Sequence, residues 1–238
     1  HAVALAVGGE LLAAGIAGYL LVWRQLSQAW PLLPIDLLRI PLFALSIATS
    51  VCSFIAQMLA YVSLPFYLQD YLGFSQVETG LLMTPWPLTT AIVAPIAGRL
   101  ADRFPVGILN GIGLLIFAAG LGLLGLLPAH PTTLAIAWRM AVCGFGFGFF
   151  QSPNNRAIIG SAPRERSGGA SGMLGTARLL GQTAGAAVAA LLFGLFPRTG
   201  TTLALITAAV VAAVAAGVSC LRLIEGAGDS EPPRRTGS

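Results

Sequence analysis

Leu42–Phe66, LFALSIATSVCSFIAQMLAYVSLPF, runs for 25 residues without a charged side chain. A helix crosses about 30 Å of hydrocarbon in about 20 residues, so this stretch is long enough to span a bilayer. It is one of seven such stretches. The others are Ala2–Val22, Val77–Ala97, Val106–Leu127, Leu134–Phe150, Ala170–Phe196 and Thr201–Leu221. The fifth is short and is expected to continue to Asn154. Only helices and closed barrels satisfy their backbone polar groups in lipid. A barrel would show alternating segments of about ten residues, whereas these runs are continuously apolar. The fold class expected is an all-α polytopic membrane protein with seven transmembrane helices.

Composition supports this. Mean hydropathy is +0.82, and charged residues make up 9% of the chain, against about 25% in soluble domains. All 13 basic residues are arginine. They form no aromatic-interleaved stripe, so a nucleic-acid partner is not expected. Instead they alternate between loops. Arg24 and Arg39, then Arg99 and Arg103, then Arg156, Arg164 and Arg166, and finally Arg222, Arg234 and Arg235 fall on one side. Asp70, Glu78, His130 and the lone Arg198 fall on the other. The positive-inside rule places the arginine-rich side and the C-terminus in the cytoplasm of a bacterial-type inner membrane. The chain opens on His1 and enters an apolar span with no basic n-region, so a C-terminal piece of a longer protein is expected rather than a signal peptide.

The organisation reads as one plus six. Residues 1–23 form a first helix, ending at the interfacial pair Trp23-Arg24. Residues 24–40 form a linker whose Leu-Leu-x-Ile-x-Leu-Leu pattern suggests an amphipathic segment on the inner membrane surface. Residues 41–225 form six closely spaced spans, and 226–238 a Gly-, Pro-, Ser- and Arg-rich tail expected to be disordered. Cys52, Cys143 and Cys220 are isolated in apolar spans, without metal or redox spacing, and read as small buried hydrophobes.

The chemistry-bearing residues are few. Gly98-Arg99-Leu100-Ala101-Asp102-Arg103 sits where the third span ends. Gly98 allows a tight helix end or a close neighbour. Asp102 can accept from amides near Val106-Gly107 or from an arginine. Arg178 lies about two turns into the sixth span, where an arginine costs about 2.5–3.5 kcal/mol on insertion scales. It should face the bundle interior or snorkel inward. Arg139, beside Trp138, should snorkel outward. Glu10 is the only acid deep in a span, and burial would suit it to carry a proton. Spans two to seven hold no central Asp or Glu. A substrate cavity needs apolar and aromatic walls with few polar groups. Ser53, Gln57 and Tyr61 on span two, Met83 and Trp86 on span three, and Phe145, Phe149, Gln151 and Asn154 on span five supply them. Small residues four apart on span six (Gly168/Gly172, Ser171/Gly175, Gly181/Gly185) permit close helix packing within this unit. No HExxH, Gly-x-Ser-x-Gly or phosphate loop occurs, and no cofactor or metal is expected. The chain does not read as an enzyme.

The Gly-x-Leu-Ala-Asp-Arg turn resembles the signature loop of the major facilitator superfamily. Further agreement is with its fourteen-span drug:proton antiporter family. The resemblance covers Pro65-Phe66-Tyr67-Leu68-Gln69, Leu72-Gly73-Phe74-Ser75, Gly80-Leu81-Leu82, Pro85 and Pro95. It continues through Gly144-x-Gly146-x-Gly148, Pro153, Gly169-Ala170-Ser171-Gly172, Arg178, Gly181 and Gly185. Phe104-Pro105 stand where the signature usually carries a glycine and a basic pair. The resemblance implies that span one is the second helix of an inserted pair and that spans two to seven are the C-terminal six-helix half. Spans two and five would then line a central cavity. It implies proton-coupled export of amphipathic or cationic small molecules by alternating access against a missing N-terminal half, which would hold the main proton-binding carboxylate. Gly98, Asp102 and Arg103 would brace the inward gate, and Arg178 would tie span six to its neighbours. Two rivals stand beside this reading. One is an anion or metabolite carrier using Arg139 or Arg178. The other is a non-transporting membrane structural or interaction protein.

Overall fold

Long apolar runs closed by proline, glycine and capped turns give helices and nothing else among the described residues. The computed structural model describes residues 16, 19–20, 35–128, 130–197 and 199–228, with side chains of the last helix described to 220. Most of the expected first span, with Glu10, and most of the linker lie outside the described residues, as does the tail from 229.

A 3-10 turn, Ile35–Arg39, precedes α1, Pro41–Phe66, which runs on through a π-helical turn, Tyr67–Tyr71. Gly73, at φ 73°, reverses the chain in a conformation that side chains disfavour. Ser75 and Glu78 then form a reciprocal cap on α2, Gln76–Met83. Helix α3, Pro85–Leu100, follows α2 directly, so one span is broken at Thr84-Pro85. Next come α4, Val106–Gly125, and α5, Thr133–Ser161, the latter capped by Thr132, whose hydroxyl accepts from the Ala135 amide at 3.2 Å. A 3-10 turn, Arg164–Arg166, leads into α6, Ser167–Leu195, and α7 is Gly200–Gly228. These give 6 helices long and apolar enough to cross a membrane.

Four expectations need correction. Helix α5 continues to Ser161 through Pro153, so Arg156 sits on a helix and not in a loop. Hydropathy marks where the apolar stretch ends, and the helix outlasts it. Helix α7 likewise runs to Gly228, past the expected start of the tail at 226. The end of the linker does not simply lie on a surface. Leu37 is buried with Phe43, Ile158, Ala170 and Met173, and Asp36 pairs with Arg166. Of the cysteines only Cys143 is buried; Cys52 is half-buried and Cys220 exposed.

Backbone seams organise the bundle. A Cβ on Gly146 would stand 2.3 Å from the Phe117 amide nitrogen, and one on Gly113 2.7 Å from that of Phe150. Helices α4 and α5 therefore touch through reciprocal glycines. Gly144 sets α5 equally close to α3, where a Cβ would meet the Trp86 carbonyl oxygen at 2.2 Å. Close approach through small residues is how helices associate where lipid removes the hydrophobic drive. Trp86, Phe117 and Phe147 pack around these seams with edge-on rings. A buried polar bracket ties three helices. Asn154 on α5 accepts from Asn110 of α4 at 3.1 Å and donates to the Ser50 hydroxyl of α1 at 2.7 Å and the Ser46 carbonyl at 3.3 Å.

Candidate functional site: a four-helix cavity wall

Each of four helices offers a pair of residues four apart, one turn above the other on a single face. They are Gln57 and Tyr61 on α1, Pro87 and Ala91 on α3, Phe147 and Gln151 on α5, and Arg178 and Gln182 on α6. Together with Phe54 and Thr90 they line a cavity of about 310 Å³. Among the described residues its only charged lining residue is Arg178, whose guanidinium carbon lies 5.8 Å from the centre of the Phe54 ring. The Thr90 hydroxyl donates to the Gly144 carbonyl at 3.0 Å, fixing α3 to α5 beside the wall.

The structure brings together Gln57, Tyr61, Gln151 and Arg178 of the residues singled out in the sequence. It does not bring the others to this wall. Trp86 is 1% exposed and sits in the core between Tyr61 and Phe117. Met83 is half-buried against that core. Ser53 is buried, its hydroxyl turned back to the Ser50 carbonyl at 2.8 Å. Asn154 is fully buried in its three-helix bracket. Phe145 and Phe149 stack on each other at 5.8 Å along another face of α5, and Phe147, between them in sequence, takes the wall position. Phe54, Phe147, Thr90 and Gln182 were not singled out. One signal would have found two of them: Phe147 stands four before Gln151, and Gln182 four after Arg178.

At the arginine-rich end, Arg156 of α5 reaches α3. Its Nη1 donates to the Gly98 carbonyl at 2.5 Å and its Nη2 to Asp102 at 2.6 Å. A Cβ on Gly98 would meet the Ser152 hydroxyl at 2.8 Å. Asp102 thus takes its arginine from a distant helix, and Arg103 has no ion pair among the described residues. A second tie at this end joins Asp36 to Arg166 at the start of α6, one of its two contacts measuring 3.1 Å. Arg139 is folded onto its own helix, donating to the Ala135 carbonyl at 2.7 Å and lying 4.6 Å over Trp138. At the opposite end a void of about 540 Å³ opens between Phe66, Asp70, Tyr71, Phe193 and Thr201.

Residues 45–237 match the family described as Major Facilitator Superfamily. The chain belongs to the major facilitator superfamily. Among characterised and uncharacterised members, it is 61% identical over 219 residues to the uncharacterized transporter YebQ of Escherichia coli (strain K12), covering 92% of this chain and 48% of that protein. It is 32% identical over 181 residues to the multidrug resistance protein Stp of Mycobacterium tuberculosis, covering 75% and 33%. It is 31% identical over 184 residues to the multidrug efflux pump LfrA of Mycolicibacterium smegmatis, covering 77% and 36%. The chain therefore spans about half the length of the first of these relatives and about a third of the other two. Membership in this superfamily and six apolar helices make it a multi-pass membrane protein.

Proposed function

We propose that this chain is the C-terminal portion of a secondary exporter of amphipathic organic compounds, working by alternating access in exchange for protons. The observation that carries the reading is the cavity wall. Four helices each turn one i, i+4 pair toward a common space, in a superfamily whose members Stp and LfrA are named for multidrug resistance and efflux. Residues 41–225 then act as one six-helix half, rocking against a second half elsewhere in the full protein. The arginine-rich end lies in the cytoplasm of the inner membrane. There the Gly98–Asp102–Arg156 bracket and the Asp36–Arg166 tie hold the inward gate, with Arg103 at the turn. The proton-binding carboxylate then lies outside this wall, whose described lining residues include none.

The test is dye efflux. The full-length protein is produced in a strain lacking its major exporters, and accumulation of cationic, neutral and anionic amphipathic dyes is followed. The expected result is lower accumulation of at least one dye, restored by an uncoupler and by the double change Gln57→Ala, Gln151→Ala. Unchanged accumulation of every dye, with normal amounts of protein in the membrane, would overturn the proposal in favour of a non-transporting membrane protein.

A further inference from the structure

We infer that the wall built by this chain receives an anionic oxygen. The ligand is an amphipathic compound that places a carboxylate, sulfonate or similar oxyanion on Arg178 and an apolar body against Tyr61, Pro87 and Ala91, the apolar lining residues that are not buried. The inference rests on the cavity reading above and adds the charge class that reading leaves open.

A guanidinium has five N–H donors and no acceptor, so whatever faces it must accept. Among the described residues no acid pairs with Arg178, although Asp36 and Asp102 each hold an arginine at the helix ends. Arg178 is exposed, and its guanidinium carbon stands 5.8 Å from the centre of the Phe54 ring, within reach of the cavity. Planar, bidentate recognition of this kind suits a carboxylate or sulfonate better than any single acceptor.

The neighbours do not offset the charge. Gln57, Gln151 and Gln182 supply amides that both donate and accept, so they bind polar groups of either kind without choosing a sign. The Thr90 hydroxyl is committed to the Gly144 carbonyl. Among the described lining residues there is no carboxylate to welcome a cation, and a cation placed there would meet Arg178 as a like charge, which is how a site rejects a ligand. Arg139, the other arginine within a span, is occupied by its own helix and Trp138 and does not line this cavity. Among the described lining residues of this chain, the choice of charge therefore falls on Arg178.

The full-length protein in lipid nanodiscs is titrated calorimetrically with 2-naphthoate and 2-naphthyltrimethylammonium, which share an aromatic body and differ in sign. Naphthoate should bind more tightly by about tenfold or more, the range of one charge-assisted hydrogen-bonded contact. Arg178→Lys should keep the order of preference with weaker binding, because it retains the charge and loses the fork. Arg178→Gln should erase the difference. Tighter or equal binding of the ammonium by the wild type, or no binding of either probe, overturns the inference. So does an undiminished preference in Arg178→Gln. The wild-type comparison decides the matter even where a variant fails to fold. Dye efflux without an oxyanion preference would sink this inference alone. Loss of efflux would sink the exporter reading while the binding order could still be read.

Discussion

Gly146→Ala tests whether the α4–α5 seam sets the geometry of the wall. The added methyl carbon would lie 2.3 Å from the Phe117 amide nitrogen, 2.7 Å from the Gly113 carbonyl oxygen and 2.7 Å from the Phe117 Cα. Ordinary contact begins at 3.4 Å, so the shortest of these is deficient by 3.4 − 2.3 = 1.1 Å. The atoms in the way belong to a helix backbone and cannot rotate aside; the two helices must part. Added methylenes in a packed core typically destabilise by about 1–3 kcal/mol, and a backbone obstruction places this one at or above about 3 kcal/mol. Separation would also loosen the Phe117–Phe147 ring contact, now 5.4 Å, and so displace a wall residue. The assay is thermal unfolding of the purified full-length protein in detergent, with Gly160→Ala as the companion. A Cβ on Gly160, on the same helix, meets nothing within 4 Å, and alanine there gains up to about 1 kcal/mol of helix propensity. Gly146→Ala should unfold well below the wild type and Gly160→Ala at or above it. Equal midpoints for the two variants would refute the seam.

Asp102→Asn should slow dye efflux while changing thermal stability by no more than about 1 kcal/mol, because both partners of the Asp102–Arg156 pair are more than half exposed (58% and 53%). Wild-type efflux would remove the proposed gating role, and a large drop in unfolding midpoint would make the pair structural. Asn154→Ala deletes three interhelical hydrogen bonds. At roughly 0.6 kcal/mol each in a membrane interior it should cost about 2 kcal/mol, read as a lower unfolding midpoint. An unchanged midpoint would mean that the bracket does not hold α1, α4 and α5 together.

The spans were legible because length and apolar content are summed properties of a stretch. Their ends were less so. Arg156 reads as a loop residue only when the helix is assumed to stop with its apolar run, and its partner Asp102 lies 54 residues away, beyond any local pattern. The Asp36–Arg166 tie joins residues 130 apart. The rotation of each helix was harder still. A soluble helix shows its buried face as a stripe, but these helices are apolar on all sides, so the stripe is missing. Polar residues were then the only cue to a cavity face. That cue places Gln57, Gln151 and Arg178 on the wall and also promotes Asn154, whose amide is instead consumed inside the bundle. Aromatic residues carry no such cue. Phe145, Phe147 and Phe149 look alike in sequence, and only the packing of α5 on α3 and α4 turns Phe147 toward the cavity.

The same packing divides the bundle into stiff and less constrained parts. Helices α3, α4 and α5 meet backbone to backbone at Gly113, Gly144, Gly146 and Gly148, so none can shift without opening a contact that has no side-chain slack. Helix α6 is held differently. Gly181 and Gly185 seat it on the α1 backbone near Val51 and Ile55, whereas a Cβ on Gly168, Gly172 or Gly175 would meet nothing within 4 Å among the described residues. Its arginine-rich end is fastened by the Asp36–Arg166 pair, an aqueous contact that salt weakens. A close-packed interface switches between discrete arrangements and does not bend smoothly. Any change of shape within these six helices therefore concentrates at α6, pivoting about Gly181 and Gly185. Arg178 stands one turn before that pivot and Gln182 within it, so a small rotation of α6 would carry Arg178 into or out of the cavity while the α3–α5 face stays fixed.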